Sequence, residues 1–236
     1  MIVAERETTT APRRVQRFSS GFCPGHSSAA YARSRAPPAA PARYDAAAMR
    51  KLILVKHCPP EIVPDVPSER WRLSEKGRAL AVPLADVLRA HAPAVVVSSE
   101  EPKAAETARL VGERLNVPWH TAPGLHEHDR SNVPHMRSGE FISMIELFFR
   151  RPGELVLGRE TADQARSRFE SAVKRVLDEY PDGNVAVVSH GTVIALMLEG
   201  KGRRSPFEVW RGMGLPSMVV MSAPDLSLES TTDRIA

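Results

Sequence analysis

The sequence predicts a three-layer α/β/α domain with a mostly parallel sheet and helices on both faces. Three short apolar runs support this prediction: residues 51–56, 94–98 and 185–188 are rich in valine, leucine and isoleucine, as buried strands are. The segments between them carry apolar residues at helical spacing, and strands that alternate with helices need crossover connections. We therefore expect the carboxyl ends of these strands to meet at one edge of the sheet, where such folds bind ligands.

The first half of the chain supplies clear helix signals after its strands. Ser74 is a helix N-cap for a helix that follows the run 51–56, and Pro83 predicts a bend within it. A second helix is expected from about residue 102 to residue 115, directly after the run 94–98.

In the second half of the chain, helix and strand signals alternate in the same way. Thr161 and Gln164 form a capping box for a long helix, and the turn at residues 181–184 (PDGN) leads into the run 185–188. A helix through Ile194 follows. Residues 218–222 and 226–229 are expected to be closing strands, at an edge of the sheet.

Residues 1–48 differ from the rest in composition. They hold seven arginines, no lysine and three acids, a charge of +4 that equals that of the whole chain. We expect a disordered leader, a transit peptide, or translated upstream sequence with Met49 as the natural start. Residues 49–236 are expected to form one domain. Because the leader carries the whole net charge of the chain, that charge does not indicate a nucleic-acid surface on the domain.

Other classes of protein are disfavoured by simple counts. No apolar run approaches the roughly 20 residues that span a bilayer. Cys23 and Cys58 lack the spacing of metal ligands or of a disulfide scaffold. We expect a cytoplasmic protein without a membrane segment or cofactor, and the sequence leaves a homodimer open.

Two histidines stand at equivalent places in this pattern. His57 follows the first strand beside Lys56, and His190 follows the run 185–188 and precedes Gly191 at a helix start. A neutral imidazole beside a cation is a good nucleophile for a phosphoryl group, and a helix N-terminus favours an anion. Each histidine alone could be a structural residue, but two at matched strand ends, with Ser98–Ser99 between them, predict a phosphoryl-transfer site.

The surrounding blocks resemble those of the histidine phosphatase superfamily, which includes the phosphoglycerate mutases. LVKHC at residues 54–58 resembles its Arg-His-Gly signature, and VVSHG at 187–191 resembles the block with its second histidine. SSEEPKAAETA at 98–108 resembles its Ser-Ser turn, basic residue and Thr-Ala helix start. LHE at 125–127 and GRET at 158–161 resemble two further blocks, and all of them come in the family's order.

The resemblance implies a phosphoglycerate mutase-like fold and a role for each matching residue. His57 would be the nucleophile that becomes phosphohistidine, and His190 would hydrogen-bond the transferring group. Glu127 would protonate the leaving oxygen, and no metal would be needed. The phosphate-binding residues would be Lys56, Lys103 and Ser99.

Three positions depart from the family's pattern. Lys56 and Lys103 stand where it has arginines, and a lysine offers a point charge instead of a bidentate fork. Cys58 replaces a glycine, so we expect its side chain where backbone approaches the ligand.

The sequence thus predicts a phosphatase for a small phosphomonoester. The alternatives are a weakened phosphate-binding pseudoenzyme and a phosphomutase, and a nucleic-acid binder would depend on the leader alone.

Several candidates have plainer interpretations. Glu127 could be a solvated loop acid, in which case Glu100 or Glu101 could supply the proton. Ser99 could serve only to cap the helix that follows it.

The remaining candidates lie between residues 120 and 149. Four histidines lack zinc spacing and are expected mostly on loop surface. Arg130 and Arg137 could contact substrate, and residues 141–149 (FISMIELFF) predict a helix that covers the site, forms a partner surface or belongs to the core. The four histidines are His120, His126, His128 and His135.

Overall fold

The computed structural model describes residues 50–64, 66–134, 136–223 and 225–235, so the predicted leader lies outside the described residues. These residues form a six-stranded sheet in the order β3-β2-β4-β1-β5-β6. The strands are β1 (Lys51–Lys56), β2 (Pro93–Ser98), β3 (Trp119–Thr121), β4 (Asn184–Ser189), β5 (Ser217–Ser222) and β6 (Leu228–Thr232).

The sheet is mostly parallel, as predicted. β4 pairs in parallel with β1 and β2, and β2 pairs in parallel with β3. β5 runs antiparallel to β1, and β6 antiparallel to β5, so the two closing strands extend one edge.

Helices cover both faces and complete the three predicted layers. α1 and α2 pack on one face against the side chains of Ile53 and Val55, while α3 to α6 pack on the other against Leu52 and Leu54. Alternate residues of β1 thus enter opposite cores, as the pleat of a strand requires. The helices are α1 (Glu75–Arg89), α2 (Pro102–Leu115), α3 (Ser138–Arg150), α4 (Ala162–Glu179), α5 (Gly191–Met197) and α6 (Pro206–Gly212).

The predicted helix starts are confirmed at atomic detail. The Ser74 hydroxyl accepts a hydrogen bond from the Gly77 amide, and both hydrogen bonds of the Thr161–Gln164 capping box are present. α2 has the predicted bounds.

One of the six strands and one of the six α-helices that the structure describes were not predicted. β3 has three residues and no buried run, so periodicity could not show it. α6 did have a signal, because Ser205 and Glu208 form a capping box with a proline at the first helical position. Among the described residues, no helix is long and apolar enough to cross a membrane.

Candidate active site

The carboxyl ends of β1, β2 and β4 meet at one edge of the sheet and bring the two histidines together. The amide of His57, just past β1, donates to the carbonyl of Ser189 on β4 at 3.0 Å. His190 follows Ser189 directly, and the two imidazole rings lie edge to face with centroids 5.1 Å apart. His57 and His190 are 5% and 1% exposed. The predicted pair is therefore one buried cluster.

The ring of His57 is held in one orientation. Its Nδ1 lies 2.7 Å from the carbonyl oxygen of Cys58. Because a carbonyl oxygen only accepts, Nδ1 carries the proton and Nε2 keeps its lone pair. Burial lowers the pKa of His57 well below its usual value, and the nearby His190, Lys103 and Lys56 lower it further. His57 is thus a neutral imidazole with Nε2 available.

Lys56 lies beside the first residue of α5. Its Nζ donates to the carbonyl of Met213 at 3.0 Å. A Cβ on Gly191 would come within 3.2 Å of that Nζ, so the missing side chain leaves the space that Lys56 fills. Burial lowers the pKa of Lys56 to about 8, although Glu127 acts in the opposite direction.

Lys103 is paired with the carboxylate of Glu101, which the sequence indicated only as an alternative proton donor. Its Nζ donates to the carbonyl of Ser68 at 2.8 Å and to the carboxylate of Glu101. Oε1 of Glu101 accepts from the Glu127 amide at 2.8 Å and lies 3.3 Å from Nε2 of His190. The buried carboxylate of Glu101 therefore lies among three N–H groups that could otherwise donate hydrogen bonds to a bound anion.

Glu127 is not a solvated loop acid. One carboxylate oxygen accepts from the His128 amide at 2.9 Å, and the other accepts from the Thr192 amide in the first turn of α5 at 3.3 Å. Burial alone would raise its pKa, but Arg130, His190 and the hydrogen bond from His128 outweigh this and lower the pKa to about 2. Glu127 is ionised in this structure.

Ser99 and Cys58 have local partners. The Ser99 hydroxyl accepts from the Glu101 amide at 3.2 Å, a turn just before α2, whose N-cap is Glu101 itself. The expectation for Cys58 is wrong, because its side chain belongs to the core between the sheet and α1 and α2. That burial raises the pKa of its thiol to about 12.

The histidines of the middle segment do not share one environment. His120 lies 3.1 Å from the Tyr180 hydroxyl, and His135 is outside the described residues. The surface prediction is wrong for His128, which is 2% exposed and packs against the tilted ring of Phe148 with centroids 4.2 Å apart. In the part of the chain that the structure describes, no group of three His, Cys, Asp or Glu residues could hold a metal ion.

Arg168 on α4 is a contributor that the sequence did not reveal. Its guanidinium donates to the carbonyls of Gly124 and His126 at 2.9 Å each, and to the Glu160 carboxylate at 2.6 Å. These bonds attach the loop that carries Glu127 to α4. Nothing in the sequence distinguishes Arg168 from a solvated helix residue, because the carbonyls that it binds are about forty positions away.

Two cavities open at this edge. One, of about 410 Å³, is lined by Glu101, Glu127 and Arg130 among others. The other, of about 850 Å³, shares Arg130 with the first and extends between residues 62–71 and 130–142. Arg137 is exposed at the start of α3. The predicted helix 141–149 lies within α3, where Ile145 and Phe148 enter the core and Phe141 lines the larger cavity.

Several solved structures of similar fold are phosphatases. A mycobacterial glucosyl-3-phosphoglycerate phosphatase complexed with VO3 is 22% identical, with a TM-score of 0.61, over 78% of this chain and 98% of that one. The alpha-ribazole phosphatase from Shigella flexneri is 19% identical, with a TM-score of 0.57, over 79% and 97%. The phosphoserine phosphatase from Entamoeba histolytica is 16% identical, with a TM-score of 0.61, over 79% and 98%.

At these identities the likeness shows a shared fold. No curated protein matches the chain. The model of the histidine phosphatase superfamily (branch 1) matches residues 62–220, which is about two thirds of the chain and begins after the His57 block. With this match and the phosphatase fold of its structural neighbours, the chain belongs to branch 1 of the histidine phosphatase superfamily.

Proposed function

We propose that this protein is a phosphatase that hydrolyses a small phosphomonoester through a phosphohistidine on His57. The orientation of the His57 ring is the observation that carries the proposal. The Cys58 carbonyl fixes the proton on Nδ1, and burial keeps the ring neutral, so Nε2 retains the lone pair that a nucleophile needs.

In the first step, Nε2 of His57 attacks the phosphorus of the ester. The P–N bond forms as the P–O bond to the alcohol breaks, and the leaving oxygen takes a proton. His190, Lys56 and Lys103 supply donors around the phosphoryl oxygens, where negative charge is concentrated. The cluster between β1, β4 and α2 holds all three close to His57.

Glu127 is the proposed proton carrier. It is ionised in the empty site, but a bound phosphate dianion is a like charge that raises the pKa of a nearby carboxyl. A proton taken up with the substrate then passes from Glu127 to the leaving oxygen. In the second step the Glu127 carboxylate takes a proton from water, the water oxygen attacks phosphorus, and the P–N bond breaks to restore neutral His57.

The structural neighbours support a phosphomonoester as the substrate class. They are a glucosyl-3-phosphoglycerate phosphatase, an alpha-ribazole phosphatase and a phosphoserine phosphatase, so the shared fold accepts very different alcohols. The common feature is the phosphoryl group, which is what the buried histidine cluster of this chain would bind.

Turnover of p-nitrophenyl phosphate by wild-type protein and by His57→Ala tests the proposal. We expect the substitution to abolish turnover, because no other group described at this edge combines a free lone pair with this position. His91→Ala is the matched control, since His91 lies before β2 at the opposite edge of the sheet and should keep full activity. Undiminished turnover in His57→Ala would refute the phosphohistidine mechanism.

A phosphate-binding pseudoenzyme is the second candidate, and Glu101 is the observation that favours it. Its carboxylate engages Lys103 and lies close to His190, so a phosphoryl group must compete with it for the same donors. This candidate predicts phosphate binding by the wild-type protein without turnover. The double variant Lys56→Arg, Lys103→Arg would separate the two candidates, because activity that appears only in the double variant supports the pseudoenzyme.

A further inference from the structure

The larger cavity differs in chemistry from the smaller one that it adjoins. It measures about 850 Å³, and Ser68, Arg130 and Ser131 line both cavities. Most of its other lining side chains are apolar. They include Val66, Trp71, Val133, Met136, Phe141 and Ile142.

Three of the polar side chains that line this cavity, those of Ser131, Asn132 and Trp71, have partners within the protein. The Ser131 hydroxyl donates to the Asp129 carboxylate at 2.8 Å, and the Asn132 amide donates to the Gly158 carbonyl at 3.3 Å. The indole N–H of Trp71 donates to backbone carbonyls of its own loop, at 2.8 Å to Val66. A hydroxyl-rich ligand such as a sugar would therefore find few free polar groups here.

Arg130 connects the two cavities. Its guanidinium lies over the ring of Phe141, 5.2 Å from the ring centroid, at the wall of the apolar cavity. The same positive charge lowers the pKa of Glu127, so it also reaches the proposed proton carrier. Its buried NH1 has no hydrogen-bond partner among the described residues. A buried donor without a partner is costly, and an anionic oxygen of a ligand at the junction would satisfy it.

We propose that this cavity binds the alcohol of the substrate and that the alcohol is a bulky apolar group, either aromatic or a long alkyl chain. This inference rests on the proposed function, because the phosphoryl group must lie in the histidine cluster. The ester would then extend past Arg130 and bury its apolar part between the loop 66–71 and the start of α3. An apolar cavity of this volume, which shares Arg130 with the smaller cavity at Glu127, would otherwise stay exposed to water.

A series of linear alkyl phosphates from ethyl to hexyl tests this proposal by kcat/KM. The leaving alcohols differ little in acidity from propyl upward, so the series isolates burial of the chain. We expect kcat/KM to rise about fourfold per methylene, which corresponds to the transfer of one CH₂ out of water. For 6-hydroxyhexyl phosphate, which has the same length but a polar end, we expect at least tenfold less than for hexyl phosphate.

Binding of the matching alkyl phosphonates, measured by calorimetry, provides a readout that does not need turnover. Their P–C bond is not hydrolysed, so affinity can be measured even if the protein is a pseudoenzyme. We expect the same rise with chain length, and Met136→Gln or Phe141→Ala should flatten it. Val82→Gln is the control, because Val82 is exposed on α1 on the opposite face of the sheet and should leave the dependence intact.

The outcomes separate this inference from the proposed function. A flat dependence of both kcat/KM and phosphonate affinity would overturn the apolar alcohol, and a macromolecular partner in the cavity predicts that result. His57-dependent turnover with a flat dependence would leave the phosphatase in place. Phosphonate affinity that rises with chain length, without any turnover, would support the cavity while refuting the enzyme.

Discussion

The phosphate end of the site and the apolar cavity beside it are built in opposite ways. The phosphate end consists of strand ends and the starts of α2 and α5, and Glu101, Lys103 and both histidines are buried in it. The cavity is built from the loop before α1 and the segment that leads into α3, and its apolar side chains remain partly exposed. Chemistry that all members of a family share can be placed on a rigid sheet edge, while selectivity for the alcohol can vary in loops.

Electrostatics distinguish the two regions as strongly as their construction does. At the phosphate end, the Glu101 carboxylate pairs with Lys103 and lies 3.3 Å from His190, while the charge of Glu127 acts on the pKa of Lys56. In the cavity, Arg130 is the one charged residue among the lining residues that the structure describes. The phosphate end should therefore respond to changes of charge, and the cavity to changes of apolar area.

The largest effect is expected from Lys103→Met, which should lower the free energy of unfolding by about 3–5 kcal/mol. The side chains of Lys103 and Glu101 are 6% and 8% exposed, so the substitution leaves a buried carboxylate without its cation. Chemical denaturation measures the change. Adding Glu101→Leu should restore most of the stability, because an apolar pair replaces the ion pair.

The exposed Lys76 of α1 provides the matched control for that prediction. Lys76→Met should change the free energy of unfolding by less than about 0.5 kcal/mol, as surface substitutions do. If Lys103→Met were as mild as Lys76→Met, the phosphate end would not be the desolvated charge cluster described above.

Glu101→Gln is expected to tighten the binding of inorganic phosphate by about tenfold, because a buried negative charge no longer opposes the anion. Inhibition of p-nitrophenyl phosphate turnover or calorimetry gives the dissociation constant. Glu113→Gln is the control, since Glu113 is exposed in the last turn of the same helix and pairs with Arg109. Unchanged or weaker phosphate binding in Glu101→Gln would show that Glu101 supports the anion site instead of competing with phosphate.

Lys56→Arg is expected to change only the alkaline side of the pH profile. With its pKa lowered to about 8, Lys56 is charged below that pH and loses its charge, and its grip on phosphate, as pH rises through it. The wild-type kcat/KM should fall roughly tenfold between about pH 7 and pH 9, and it reports the free enzyme. An arginine stays charged, so this fall should disappear in Lys56→Arg.

Lys51→Arg is the control for the pH profile, because Lys51 lies at the other end of β1 and pairs with Glu229. It should show the wild-type fall. A Lys56→Arg profile that falls as steeply as that of Lys51→Arg would mean that another group controls the alkaline limb.

The sequence predicted the three-layer fold and most helix starts because these depend on local patterns. The N-caps at Ser74 and Thr161 lie within a few residues of the amides that they accept from. The strand-end histidines were predictable for the same reason, since each directly follows the strand that positions it. β3 was not, because its three residues are added to the sheet by pairing with β2 and not by their own hydrophobicity.

The inner partners of the site could not be predicted from the sequence. Whether Glu101 faces solvent or Lys103 depends on how the first turn of α2 packs against the loop at Ser68, thirty-odd residues earlier. The hydrogen bonds of Arg168 and the apolar cavity have the same origin. They arise where segments that are distant in sequence pack together, and no residue spacing along the chain indicates that packing.

Localising the phosphoryl group after rapid alkaline quench tests the central claim most directly. Glu127→Gln should accumulate the intermediate during turnover of p-nitrophenyl phosphate, because p-nitrophenolate leaves without a proton from Glu127 while the second step lacks its proton acceptor. We predict an alkali-stable, acid-labile phosphoryl group on the peptide that contains His57. A phosphoryl group on any other residue, or phosphate release with no phosphoenzyme at any time, would contradict the account.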